Sequence, residues 1–441
     1  MYKRDAREFS NTYLKITRLP TAAVIAIFAI TALMGCNRTS RNTIAISPIH
    51  ASGYVPVTGP SEPTLLWKSK VLDRYDVPYL TIPVLDNNGD IYFTTIRRLY
   101  SVDKTGKIRW KFKYPGSKLS IGEKGGGRSP VMNPEGNIIM ATGSGSTDMP
   151  ISAYKQGRLR AFSNRGKILW TYEDLQPYAF SSTLINKEGN IYLAMTDNNE
   201  SMDRGFLANF NKNGELVNDF SGKISPYTYE INDTNSGTQI FYDYGYILNK
   251  IDVNGKVSQK ILPSEIILIT AYGKENSLYI YMKDGRMIRL NIDDLKTVWK
   301  TDIIHDKGNT ENSNLFGGKS VILINHVVAC VRGIYMILEN KQLVCVSNEG
   351  KVRWRTNFSI RLTELPVIDK QGSVYVTGEG RVICVGNDGK IKWNMRLTDP
   401  DNGMSAPILG PDGTLYCFAD RVYAIGDAAH RWNNRPSRGL P

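Results

Sequence analysis

Apolar and polar residues alternate along this chain in short runs, and the runs recur in a fixed order. Ser373-Val-Tyr-Val-Thr377 and Arg381-Val-Ile-Cys-Val385 alternate with a period of two, the spacing of strands. An extended run leads to a tight glycine turn, then an aromatic strand, then a strand closing on Gly-Lys-Ile/Val-x-Trp. The clearest copies are Asp86-Asn-Asn-Gly-Asp-Ile-Tyr92 with Gly106-Lys-Ile-Arg-Trp110, and Asp369-Lys-Gln-Gly-Ser-Val-Tyr375 with Gly389-Lys-Ile-Lys-Trp393. The aromatic or apolar residue after the turn glycine marks eight units: Tyr92, Ile139, Tyr192, Tyr242, Tyr279, Tyr335, Tyr375 and Tyr416. Their spacing of 37 to 56 residues fits one four-stranded sheet per unit.

A unit of this size cannot bury its own apolar face, so neighbouring units must cover one another. Third strands end in turns where Asp or Asn is followed by Gly two or three residues on, as in Leu99-Tyr-Ser-Val-Asp-Lys-Thr-Gly106 and Leu343-Val-Cys-Val-Ser-Asn-Glu-Gly350. The glycine supplies the positive φ such a turn requires. Fourth strands carry Trp110, Trp170, Trp299, Trp354 and Trp393, while units three and four have Asn218 and Gln259 instead. The last unit, Pro407 to Gly426, lacks a fourth strand, and the missing tryptophan stands at the other end of the chain, in Leu65-Leu-Trp67-Lys. The expectation is an all-β, eight-bladed β-propeller of four-stranded antiparallel blades, its ring closed by strand 64–70 joining the last blade. The six tryptophans are expected to pack between neighbouring sheets.

The N-terminus carries a different pattern. A basic stretch through Arg18 precedes the apolar run Thr21–Met34, and Gly35-Cys36 follow. Fourteen residues make a helix of only ~21 Å, short of the ~30 Å hydrocarbon core, which suits a signal segment better than a span. Leu33-Met34-Gly35-Cys36 resembles a bacterial lipobox. That resemblance implies removal of residues 1–35 as a lipoprotein signal peptide and a lipid-modified, palmitate-bearing Cys36. In a Gram-negative host, Asn37 after the cysteine implies the periplasmic face of the outer membrane. Residues 36–62 are polar and aperiodic and are expected to form a flexible tether. Residues 63–427 hold the repeats, and residues 428–441 read as a basic disordered tail.

Of the net charge of +13, +3 sits in the first 35 residues; the remainder is expected to be scattered through turns. No nucleic-acid-binding motif is present. The histidines, His50, His305, His326 and His430, have no zinc-site spacing. Cys330, Cys345, Cys384 and Cys417 are expected to be free, buried thiols, since Cys345 and Cys384 hold equivalent positions in sheets ~10 Å apart. Asp197–Asp203 lacks the glycine and the bidentate glutamate of a calcium loop, and Gly122–Arg128 lacks the Gly-Lys-Ser/Thr of a phosphate cradle.

The combination Asp-x-x-Gly-x-Ile/Val-Tyr … Leu-x-x-x-Asp/Asn-x-x-Gly-Lys-Ile-x-Trp resembles the pyrroloquinoline-quinone (PQQ) type, or quinoprotein, propeller repeat over residues 64–427. Repeat, lipobox and length together resemble the propeller lipoproteins of the outer-membrane β-barrel assembly machinery. The resemblance implies a non-catalytic envelope scaffold that binds a protein partner, with no cofactor. Two alternatives stay open: a PQQ-dependent dehydrogenase holding PQQ with calcium, and a carbohydrate or cell-wall binder using Tyr178, Tyr227 and Tyr229. No catalytic residue, metal ligand or cofactor ligand is assignable from the residues. The connections Tyr114–Arg128, Gly143–Gly157, Asp197–Gly205 and His305–Gly318 are long and variable, the expected carriers of specificity.

Overall fold

The computed structural model describes residues 53–427 except for 71–81, 96, 115–128, 143–156, 176–178, 186–187, 197–204, 220–228, 233–238, 243–245, 252–256, 265, 273–275, 304–323 and 363–364. Cys36, the lipobox and the tail lie outside the described residues. Among those described, every regular element is a strand, and the strands form eight four-stranded antiparallel sheets. Seven sheets follow chain order within residues 84–113, 131–175, 179–219, 229–261, 266–302, 324–357 and 367–396. The eighth joins strands Ile408–Leu409, Leu415–Phe418 and Val422–Asp427 to Pro63–Lys68 from the other end of the chain. Its last pairing runs antiparallel, from Pro63 opposite Asp427 to Lys68 opposite Tyr423. The complementary gap read from the sequence is filled by this pairing, over residues 63–68 rather than 64–70.

The turns explain why the strands begin and end where they do. Asp103 Oδ1 accepts from the amides of Thr105 and Lys107 at 2.9 and 3.0 Å, and Gly106 at φ +87° closes the turn. Asn211 and Asp369 make the same pair of bonds in their own turns. At the broken turn of the eighth sheet, Asp427 Oδ1 accepts from Ser61 N at 2.9 Å and Glu62 N at 2.7 Å. One carboxylate thus bridges two chain segments that elsewhere are covalently continuous.

Sheets cohere through apolar clusters shared by neighbours. Leu85, Ile91 and Phe93 of the first sheet pack with Ile408, Tyr416 and Phe418 of the eighth, Phe93 and Phe418 at 5.6 Å between ring centroids. Each buried side chain of this size is worth ~1.5–3 kcal/mol.

Each of the six described tryptophans is a rung between two sheets. Trp67, Trp110, Trp299, Trp354 and Trp393 lie 5.8–6.1 Å from Tyr416, Tyr92, Tyr279, Tyr335 and Tyr375 of their own sheets. The other side of the ring covers the turn glycine of the next sheet. The indole Nε1 donates to a turn carbonyl there: Trp67 to Lys104, Trp110 to Asn164, Trp170 to Lys212, Trp299 to Asn348 and Trp354 to Asn387, at 2.7–3.1 Å. Trp393 donates to Pro60 O at 3.1 Å, because the corresponding turn is the broken one.

The expected tether boundary at residue 62 does not describe residues 53–62. Val55 N donates to Ile368 O and Ile368 N to Gly53 O, both at 2.8 Å, so Tyr54 pairs in parallel with Ile368. Lys370 N donates to Val57 O, and Gly59 N to Asp369 Oδ2. The alternation Tyr54-Val55-Pro56-Val57 was the overlooked signal. Tyr54 packs into the cluster between the sixth and seventh sheets, and Val55 and Val57 into that between the seventh and eighth.

Cys330, Cys345, Cys384 and Cys417 are free and buried. Burial pushes the thiols of Cys330 and Cys345 up to about 11 and that of Cys384 to about 12, and it raises Cys417 further.

Gly136 and Gly106 share a positive φ, but a Cβ on Gly136 meets nothing within 4 Å whereas one on Gly106 would lie 2.6 Å from the Trp67 ring. Gly136→Ala is expected to cost about 1 kcal/mol, and Gly106→Ala about 2–3 kcal/mol more, read as urea midpoints at constant slope. Trp110→Ala is expected to cost ~3–5 kcal/mol by the same measurement. The raised thiols hold their stabilising effect below the ordinary thiol value of about 8.5, and it is lost as pH rises through about 11–12. The four thiols should accordingly resist a thiol reagent at pH about 8 until guanidinium unfolds the chain; rapid labelling of the native protein would contradict this burial.

Candidate interaction surface

An antiparallel sheet threaded in chain order has two unlike ends. Connections from first to second strand and from third to fourth lie at one end. Those from second to third, and the links to the next sheet, lie at the other. The first end is built of tight turns closed by backbone bonds, including Asp86–Asp90, Asn133–Asn137, Ser163–Lys167 and Gly386–Lys390. The tryptophans dock turn against tryptophan at this same end from sheet to sheet, which sets the first ends side by side.

All four long connections singled out in the sequence belong to the second end. Connections 143–157 and 197–205 join second to third strands, and 114–128 and 305–318 link successive sheets. Apart from Tyr114, Gly157 and Gly205 they lie outside the described residues. Sequence reasoning found each of them by length; their common end follows only from strand order.

Described residues at the second end are held by local polar contacts. Glu379 Oε1 accepts from Arg361 N at 2.9 Å. Asp420 accepts from Tyr423 Oη at 2.7 Å, Arg421 Nε at 3.0 Å and Thr398 Oγ1 at 3.2 Å. Burial raises the Asp420 carboxyl, but these hydrogen bonds and the Arg421 charge together hold it below the ordinary carboxylate value.

Charge is less scattered than the sequence implied. Outermost strands of the first, sixth and seventh sheets expose cations at alternate positions: Arg109, Lys111 and Lys113 on Ile108–Lys113, Arg353 on Val352–Asn357, and Lys392 and Arg396 on Ile391–Arg396. Arg109 folds back on Asp90 at 2.6 Å and Tyr92 Oη at 3.2 Å. At the position of Arg109, the second and third sheets have Leu169 and Val217, 45% and 51% exposed. In the fifth sheet the same position is Val298, 54% exposed, so the outermost strands are basic on some sheets and apolar on others.

Among the described residues no three side chains of His, Cys, Asp or Glu converge as a metal site. A cavity of about 30 Å³ beside the first strands is lined by apolar Val55, Ile82, Leu365, Val367 and Ile408, too small and too apolar for a quinone. His326 lies on strand Ile324–Cys330, and the other histidines lie outside the described residues. Tyr178 and Tyr227 also lie outside them, and Tyr229 is placed only as part of strand Tyr229–Asn232.

Comparison with known proteins gives this geometry a family context. The family model described as "Outer membrane protein assembly factor BamB" matches residues 339–435, from the sixth sheet through the eighth. No curated protein matches the chain. Among solved structures, BamB from Moraxella catarrhalis is similar at 12% identity and a TM-score of 0.53, covering 83% of this chain and 100% of that one. A europium-containing methanol dehydrogenase is similar at 12% identity and 0.56, covering 88% and 92%. The C-terminal WD40 domain of Sif2 is similar at 10% identity and 0.59, covering 84% and 99%. These likenesses show the fold, that of a β-propeller, and the family model ties residues 339–435 of it to a PQQ-like repeat.

Proposed function

We propose that the eight sheets are the blades of one closed ring, and that the chain is a lipid-anchored envelope protein serving as a non-catalytic scaffold in outer-membrane protein assembly. The observation that carries this reading is the match of residues 339–435 to the assembly-factor model, within a repeat read from the sequence over residues 64–427. Three further features support it. The lipobox-like Leu33–Cys36 supplies a membrane anchor at the periplasmic face. The pairing of Pro63–Lys68 with Val422–Asp427 and the Phe93–Phe418 contact give the ring its closing junction. The strands joined by the four long connections all open at the same end of their sheets, a rigid support on which a protein partner would meet those connections.

In-cell cross-linking of the full chain followed by mass spectrometry is expected to recover a stoichiometric envelope protein joined to the second end. A chain recovered alone would overturn the scaffold reading. Cys36→Ser is expected to abolish lipid labelling and release the protein from the membrane fraction; labelling that persists would remove the anchor from the proposal.

A further inference from the structure

The path of residues 53–60 says which end of the propeller the N-terminal chain leaves. Gly53 lies beside the start of the seventh sheet's first strand: a Cβ there would meet Pro366 O at 3.0 Å and Val328 at 2.8 Å. The strap then runs parallel to that strand, through the Tyr54–Ile368 bridge. At the Asp369–Ser373 turn, Lys370 N reaches Val57 O. It crosses the turns at the first end, where Thr58 O faces Gly413 and Pro60 O accepts from Trp393, and enters the eighth sheet at Pro63. The strap therefore traverses the sheet edge from second end to first, so the described chain begins, at Gly53, on the second end.

Two independent sets of contacts fix this direction. Backbone bonds hold it to the seventh sheet, and side chains sit in clusters on both sides, Tyr54 in one and Val55 in the other. Gly59 is required where it stands, since a Cβ would lie 2.3 Å from Tyr375 Oη. Sixteen residues separate Cys36 from Gly53. A chain of that length has a root-mean-square reach of ~20–25 Å, short against the dimensions of a propeller.

We propose that residues 53–60 orient the propeller on a lipid surface, turning toward the bilayer the second end, which bears the second-to-third-strand turns and the links between sheets. This rests on the reading of Cys36 as the lipid anchor. The partner surface is thus the lipid-facing one, and a partner that reaches it does so from the membrane side.

The test uses the full lipidated chain on vesicles of phosphatidylethanolamine and phosphatidylglycerol carrying a nitroxide-labelled lipid. A fluorophore is placed on Asp401→Cys, in the link between the seventh and eighth sheets, or on Gln371→Cys, in the glycine turn at the opposite end of the seventh sheet; both native residues are exposed. The acylated Cys36 and the four buried thiols leave the introduced cysteine as the reactive one. Quenching is expected to be roughly twofold greater at position 401 than at 371. Val55→Pro, which removes the donor to Ile368 O, is expected to shrink that difference. Equal quenching, a reversed order, or a full difference persisting in Val55→Pro would each overturn the orientation while leaving the anchor intact. Failure of the unsubstituted chain to bind vesicles would overturn the anchor itself, and the orientation with it.

Discussion

The contact on which the rest depends is an indole ring laid over a glycine of the neighbouring sheet. A tryptophan near the start of the fourth strand stands on its own sheet's tyrosine and donates to a carbonyl in the next sheet's turn, as Trp110 does to Asn164. It needs three things at once: a flat ring, a turn carbonyl free to accept, and a turn residue with neither Cβ nor a forbidden φ. Gly166, with φ +80° and a hypothetical Cβ only 2.7 Å from Trp110, meets the last. The turn glycine and the tryptophan are thus one device divided between adjacent repeats, which is why they recur together.

That pairing also explains what could be read without coordinates. Strand period, turn chemistry and the Gly…Trp spacing are local, so the four-stranded unit and the gap in the eighth sheet were legible from residues such as Asp103, Gly106 and Trp67. The strap was not. Its Gly, Pro, Ser and Thr content reads as a linker, and the bonds that order it go to Ile368 and Asp369, more than three hundred positions away. Tyr54, Val55 and Val57 carry a strand's alternation, but too briefly to outweigh that composition. The candidate surface divides in the same way: the long connections were found by length, whereas their common end is a property of strand order.

The outer strands carry a second constraint. Each presents an unpaired edge, and a cation on such an edge discourages pairing with another molecule. Arg109, Arg353 and Lys392 fill this role on three sheets, whereas Leu169, Val217 and Val298 occupy the equivalent place on three others. The basic composition of the chain is in part the cost of solubility for a molecule with so many sheet edges.

Asp427 and its partners have a consequence for how the molecule comes into being. The carboxylate is 366 positions from Ser61, and Pro63–Lys68 can pair only with a strand that is synthesised last. Local hairpins form early because their loops are short, but this junction waits for the whole chain. Until the chain is complete, the segment around Leu65-Leu-Trp67 is therefore an apolar strand without its mate. The last step of folding is the meeting of the two termini, and until then the first and last repeats each lack a neighbour on one side.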